Sequence, residues 1–295
     1  MVTLTVFTPT YNRAYTLHKC YESLVRQSSK DFMWLIIDDG STDNTKKLVE
    51  TWIKQHNDFE IKYVYKENGG MHTGHNKAYE LIETELNVCI DSDDFMPDNA
   101  VELVVDFWRK NGSNNYSGVA SLDNDSNGNI IGTKFPNKKS IKLCNFYDMG
   151  GKGDKNLIYR TEVMKKYPPY PEFEDEKFVP LDYKYLLADQ DYDLLILNEP
   201  TCTVEYMADG SSRNMFKQYY KNPRGFSFMR KIHMKYDKKL KNKFKSCIHY
   251  VSGSLITRNQ KFLSESPKKL LTLLACPFGV VLYLVVIVKN KEGAI

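Results

Sequence analysis

Residues 86–100 read LNVCIDSDDFMPDNA, and the break inside this stretch decides how the chain is read. Leu86 to Ile90 form a largely apolar run of strand length, which stops on three carboxylates, Asp91, Asp93 and Asp94. A buried strand gains nothing from ending in that much negative charge unless its end faces a site. Moving outward, apolar strand-like runs recur at LTVFTP (4–9), MWLIID (33–38) and IKYVYK (61–66). Between them lie stretches with helical spacing of apolar residues: 16–27, 41–55, 72–82 and 99–110. The second of these opens on cap-type residues, STDN. Strand and helix alternate four times with short links, which predicts an α/β fold with a mostly parallel sheet and helices on both faces. In open sheets of this kind ligands bind beyond the carboxyl ends of the strands.

Two strands end in acids at that edge, the second in Asp38 and Asp39 and the fourth in Asp91, Asp93 and Asp94. Carboxylates gathered at one rim repel one another unless a cation sits among them. Hard oxygen ligands suit Mg2+ or Mn2+, which keep several waters and bind through one or two carboxylates plus substrate phosphates. The plainer reading is helix capping and turn chemistry, in which Asp93 or Asp94 caps the next helix and Asp38-Asp39-Gly40-Ser41-Thr42 is a turn with its cap. Capping accounts for one acid per strand rather than five.

The chain has 295 residues, 42% apolar and 13% aromatic, enough for a core that needs no disulfide or structural metal. Its six cysteines are scattered with no C-x-x-C pair, so free thiols in a reducing compartment are expected. The opening MVTLTVFTPTYN lacks the basic and long apolar regions of a secretory signal. Net charge is only +4, yet Lys217 to Lys245 hold eleven Lys/Arg against one acid, Asp237. That excess points to an anionic partner, a membrane surface or a nucleic acid, unless it is only a solvated helix face. Residues 270–288, LLTLLACPFGVVLYLVVIV, contain no charge and are flanked by Lys268, Lys269, Lys289 and Lys291. The length suffices to span a bilayer, while Pro277 and Gly279 favour a kinked or interfacial insertion. Aromatics with lysines beside such a segment, as in QYYKNPRGFSFMRK (218–231), fit a membrane interface better than base stacking. The expectation is the cytoplasmic face of a membrane, peripherally or singly anchored, with no nucleic acid.

Four ordered blocks, TPTYNR (8–13), IIDDGSTDNT (36–45), ENGGMHTGHNKA (67–78) and DSDD (91–94), resemble the inverting family-2 glycosyltransferases of the GT-A fold, of the bacterial polysaccharide-biosynthesis type. The resemblance is strong over the first third of the chain and looser in the middle. It implies that Thr8, Pro9 and Tyr11 shape the nucleotide pocket and that Asp39, beside Asp38, meets the nucleobase. Asn68, Gly70, His72 and Asn76 fall in the segment near base and diphosphate, where His75 replaces an arginine common in relatives. Asp91, with Ser92, is expected near ribose and donor sugar and Asp93 on the metal, with Asp91 also a candidate ligand. Arg213 in DGSSRN matches an element that closes over the donor. Inverting transfer needs a general base, and YPEFEDEKFVP (170–180) offers Glu174, Asp175 and Glu176. Resemblance to relatives with Glu-Lys-Phe selects Glu176, with Asp175 next; a plain surface loop is the other reading.

The implied enzyme is a hexosyltransferase moving a sugar from a UDP-sugar to a glycan or lipid-linked saccharide. Residues 1–110 would bind the nucleotide sugar, 111–215 the acceptor and base, and 216–295 would form a basic, aromatic, helical extension at the membrane. A sugar nucleotidyltransferase would share the fold and the acids, but no G-x-G-T-R-type loop follows the first strand. A non-catalytic nucleotide-sugar or membrane-surface binder would keep the first half and lack a working base.

Overall fold

The computed structural model describes residues 2–55, 57–205 and 215–292, with side chains to 290. In chain order its elements are β1 (Leu4–Thr10), α1 (Leu17–Val25), β2 (Phe32–Asp38), α2 (Thr45–Ile53), β3 (Glu60–Tyr65), α3 (Met71–Leu81), β4 (Leu86–Cys89) and α4 (Ala100–Asn111). Then come β5 (Tyr116–Asn124), β6 (Ser140–Ile141), α5 (Leu143–Asp148), β7 (Lys155–Arg160), α6 (Thr161–Lys166), α7 (Asp182–Asp191) and β8 (Asp193–Thr203). Five helices finish the chain: α8 (Met215–Lys221), α9 (Pro223–Tyr236), α10 (Leu240–Ile256), α11 (Phe262–Glu265) and α12 (Lys269–Glu292).

The eight strands make one sheet in the order β3-β2-β1-β4-β7-β5-β8-β6, with helices on both faces. β1 is buried along its whole length because it pairs in parallel with β2 on one side and β4 on the other. A strand covered on every side reads as a continuous apolar run rather than an alternation, which is why LTVFTP signals its position. The first four strands in the chain are mutually parallel, and β7 then enters antiparallel between β4 and β5. β5 and β8 pair in parallel, and β6 closes the edge antiparallel to β8. The core under the first half joins Val6, Trp34 and Ile36 of the sheet to Leu24 of α1, Trp52 of α2 and Val104 of α4.

The chain divides into two compact units, Met1–Pro169 with Lys184–Met207, and Tyr170–Tyr183 with Ala208–Ile295. The first holds the sheet. The second is helical, and in it α12 packs along α10 by a narrow stripe of small or buried residues, Thr272, Ala275 and Gly279, continued by Val286. A Cβ at Gly279 would lie 2.5 Å from Val251, so the approach of the two helices requires glycine there. Pro277 sits inside α12 without ending it. The opposite face of α12 is largely apolar and open, with Leu270, Leu274, Phe278, Val281, Leu284 and Val288 exposed.

Candidate active site

Parallel pairing aligns the carboxyl ends of β1, β2 and β4. Thr10 pairs with Asp38 and Phe7 with Cys89, so the chain leaves all three strands at one edge, into Tyr11, Asp39 and Asp91. There Asn12, at a left-handed φ of 52°, accepts the Thr42 N–H at 2.7 Å, while its own N–H donates to Ser41 Oγ at 2.8 Å. The TYN and DGST turns are thereby fixed to each other.

The first-strand candidates separate by exposure. Thr8 is fully buried and its hydroxyl accepts the Trp34 indole N–H at 3.0 Å; Pro9 is buried too. Tyr11 is 48% exposed and alone of the three presents its side chain to solvent. Asp38 accepts Ser41 N–H at 2.7 Å and the Tyr63 hydroxyl at 2.6 Å. Asp39 accepts four donors: Lys66 Nζ at 2.5 Å and Gly69 N–H at 2.9 Å on Oδ1, Gly70 N–H at 2.7 Å and Asn68 Nδ2 at 3.2 Å on Oδ2. Two oxygens offer about four lone-pair positions, so this carboxylate is saturated. It anchors segment 66–70 at the start of α3.

On α3, His72 is buried and neither ring nitrogen finds a partner among the described residues. Burial, partly offset by Asp39, pulls its pKa down to about 4, so the ring is neutral. His75 lies deeper, edge-on to Phe7 at 5.0 Å and 3.4 Å from the Tyr79 hydroxyl, and burial pulls it down to about 3. Asn76 is half-buried.

Past β4 the acids crowd. Asp94 N–H closes a turn onto Asp91 O at 3.0 Å around buried Ser92, and Asp94 Oδ1 accepts Glu205 N–H at 3.0 Å. Burial, then Asp93, pushes Asp91 up to about 6; burial, then Asp91, pushes Asp94 up to about 8. Asp123, at the end of β5, is pushed up to about 7 by burial and has a buried Oδ1 with no partner among the described residues. It adds a further acid to this electrostatic group, and sequence reading missed it; the signal was the same one, an acid closing an apolar strand. No set of three or more potential ligands converges on one point among the described residues. Such a cage is not what Mg2+ or Mn2+ requires when it binds through one or two carboxylates and completes its shell with water and phosphate. The raised acids, which ionise against one another's charge, fit a divalent cation in that manner.

In the second unit, Phe173 O accepts Glu176 N–H at 3.1 Å, closing a tight turn whose third residue, Asp175, has φ 61°. Asp175 is exposed at its tip. Glu176 is buried, and its carboxylate accepts Arg224 N–H at 2.9 Å, Arg224 Nε at 3.0 Å and Gly225 N–H at 2.8 Å. It therefore caps α9, whose first turn has free N–H groups to satisfy. Asn222 reciprocates by accepting Lys177 N–H at 2.9 Å. A Cβ at Gly225 would meet Phe178 O at 2.1 Å, so only glycine allows the turn to seat against α9. Arg213 lies outside the described residues.

The profile described as "Glycosyl transferase family 2" matches residues 5–168, more than half of the chain. The chain belongs to this family. Relatives include chondroitin synthase of Escherichia coli, 30% identical over 43% of this chain and 18% of that protein. Glycosyltransferase GlyG of Streptococcus pneumoniae serotype 4 is 26% identical over 62% of this chain and 56% of its own length. The chain thus spans less than two thirds of these relatives. Among solved structures, Staphylococcus aureus TarS 1–349 in complex with UDP-GlcNAc aligns with 99% of this chain and 92% of its own, TM-score 0.60 and 18% identity. Mannosyltransferase PcManGT of Pyrobaculum calidifontis, with GDP-Man and Mn2+, aligns with 99% of this chain and 84% of its own, TM-score 0.56 and 17% identity. Both likenesses bear on the fold, which is GT-A.

Proposed function

We propose that this glycosyltransferase moves a sugar from a UDP-sugar to a hydroxyl of a glycan acceptor, with inversion, in the synthesis of a bacterial polysaccharide. The observation that carries the reading is the gathering of Asp91, Asp94 and Asp123 at the carboxyl ends of sheet strands, where desolvation and one another's charge push their pKa values up. Asp93 and Asp91 would hold Mn2+ or Mg2+, which neutralises the charge that develops on the departing diphosphate. Tyr11 and the segment 68–70, positioned by Asp39, form the nucleotide side. The neutral, unpartnered His72 and half-buried Asn76 face the donor's polar groups.

On the acceptor side Asp175 is the base, and Glu176 positions the turn that carries it. A general base needs a free lone pair, and three donors already occupy the carboxylate oxygens of Glu176. Asp175 takes the proton of the acceptor hydroxyl as that oxygen bonds to the anomeric carbon. The bond to the diphosphate oxygen breaks on the opposite side, and the proton then passes to water. A left-handed φ on a non-glycine residue at a turn tip is the kind of strain that functional positions carry.

The uncovered apolar face of α12, with Lys268, Lys269 and Lys289 near its ends, suits insertion into the interface of the inner leaflet of the cytoplasmic membrane. A lipid-linked acceptor accords with such docking. The test is metal-dependent release of UDP from a panel of UDP-sugars by the wild-type chain and by Asp93→Asn. Release from one UDP-sugar, at least about a hundredfold slower in the variant, is expected. Neither release nor calorimetric binding of UDP with metal would overturn the reading, and binding without any turnover in the presence of acceptors would leave a binder instead of an enzyme.

A further inference from the structure

The second unit contains a cavity of about 340 Å3, in the range that holds small organic ligands. Its walls are rings and aliphatic chains: Phe178 and Pro180 from the segment after the Glu176 turn, Phe216 and Tyr219 from α8, Phe226 from α9 and Leu282 from α12. Phe178 stacks on Phe226 at 5.2 Å, and Tyr219 meets the same ring edge-on at 5.2 Å. A chamber of this composition by itself suits hydrocarbon.

Its polar groups include a cation and two buried ring or guanidinium nitrogens without partners among the described residues, beside one carboxylate that is already held. Arg230 lines the cavity, and its Nε is buried with no hydrogen-bond partner among the described residues, although Asp182 and Asp237 lie near enough to favour its charge. Asp182, the one carboxylate on the described wall, is already held by His233 Nε2 at 3.1 Å. His233 is further held by Asp237 at 3.1 Å. His249 on the wall has a buried Nδ1 without a partner. Lys289 lies 4.6 Å over the ring of Phe216, adding a second cation beside the wall. A buried guanidinium N–H without an acceptor is costly, and the guanidinium fork matches phosphate oxygens.

We propose that this cavity binds an amphiphile that joins an apolar chain to a phosphate, the chain among the rings and the phosphate on Arg230, with His249 Nδ1 as a second donor. The binding stands on the cavity alone. Its meaning, capture of the lipid part of a lipid-linked acceptor, rests on the proposed function. The cavity shares its segment with the candidate base, since Phe178 follows Asp175 by three residues.

The experiment is calorimetry of the full chain with octyl phosphate, octanol and inorganic phosphate, with UDP plus Mn2+ titrated into the same samples. Octyl phosphate is expected to bind one per chain, at least tenfold tighter than octanol, with no binding of inorganic phosphate over the same range. Arg230→Met should bring octyl phosphate down to the octanol level. Val286→Phe, which adds volume beside Tyr219 and Phe226, should weaken both amphiphiles; Leu282→Phe replaces it if circular dichroism shows misfolding. Equal binding by wild type and Arg230→Met, undiminished binding in the filled variants, or equally tight inorganic phosphate would each overturn the proposal. Undiminished binding in the filled variants would put the amphiphile elsewhere, on the open face of α12. Loss of UDP binding with octyl phosphate retained would count against the transferase reading and leave the cavity assignment intact.

Discussion

The carboxylates of the β4–β5 rim and those of Asp39 and Glu176 have the same chemistry and opposite surroundings. Asp91 and Asp94 are half-buried and Asp123 is buried, and desolvation together with one another's charge pushes their pKa up to about 6, 8 and 7. Asp39 and Glu176 are more deeply buried than Asp91 or Asp94, yet four and three donors respectively converge on them. Burial therefore does not mark a functional acid; the state of its lone pairs does. A saturated carboxylate holds backbone in place, and a crowded, undersupplied one leaves lone pairs for the cation proposed there.

The contrast is broken most directly at the 173–176 turn. Asp175→Asn should lower kcat by about 10²–10⁴-fold, with donor binding and melting temperature little changed, as for loss of a general base. If Glu176→Gln instead lost turnover at unchanged stability, the roles of the two acids would be exchanged. In the expected arrangement Glu176→Gln costs about 1–3 kcal/mol of stability, read by urea denaturation, because buried charge-assisted bonds to the start of α9 are lost. Asp94→Asn, the same chemical exchange at the rim, should have the opposite sign in EDTA. A carboxylate whose folded pKa is raised gives stability that is fully present below its unfolded pKa, near 4, and is lost as pH rises through the folded value, about 8. Wild-type stability should thus fall between those limits, while the variant falls less and ends about 1 kcal/mol or more ahead at pH 8.5. Excess Mn2+ should narrow the gap by stabilising the wild type. A destabilised Asp94→Asn at pH 8.5 would show that the rim acids are satisfied in some other way.

Much of this molecule was readable before any coordinates. The strands and helices of the first 111 residues fall within a few residues of the apolar runs and helical spacings that announce them, because each is covered by a uniform environment. The wedging of β7 between β4 and β5 was not readable, since Val88 opposite Ile158 is a pairing over seventy residues of chain and depends on the whole sheet. The acidic rim was visible as strand-ending aspartates. The duties of Asp39 and Glu176 were not, because their donors lie about thirty and fifty residues away and no local pattern foretells them. Asp123 escaped for a different reason: its strand was not singled out, so the acid at its end had no edge to belong to. The apolar run 270–288 was legible as a helix, but only the burial of Thr272, Ala275 and Gly279 shows that one thin stripe of it belongs to protein.

The start of α9 bears on how the chain meets free anions. The opening of a helix is a natural anion receptor, with amide hydrogens converging and a partial positive charge behind them. Here that receptor is filled by the chain's own Glu176, and the glycine amides leading into α3 are likewise filled by Asp39. The protein has plugged two of its ready-made phosphate sockets with internal anions. Both segments are thereby ordered by the chain itself, and a sulfate or free phosphate finds those two sockets shut.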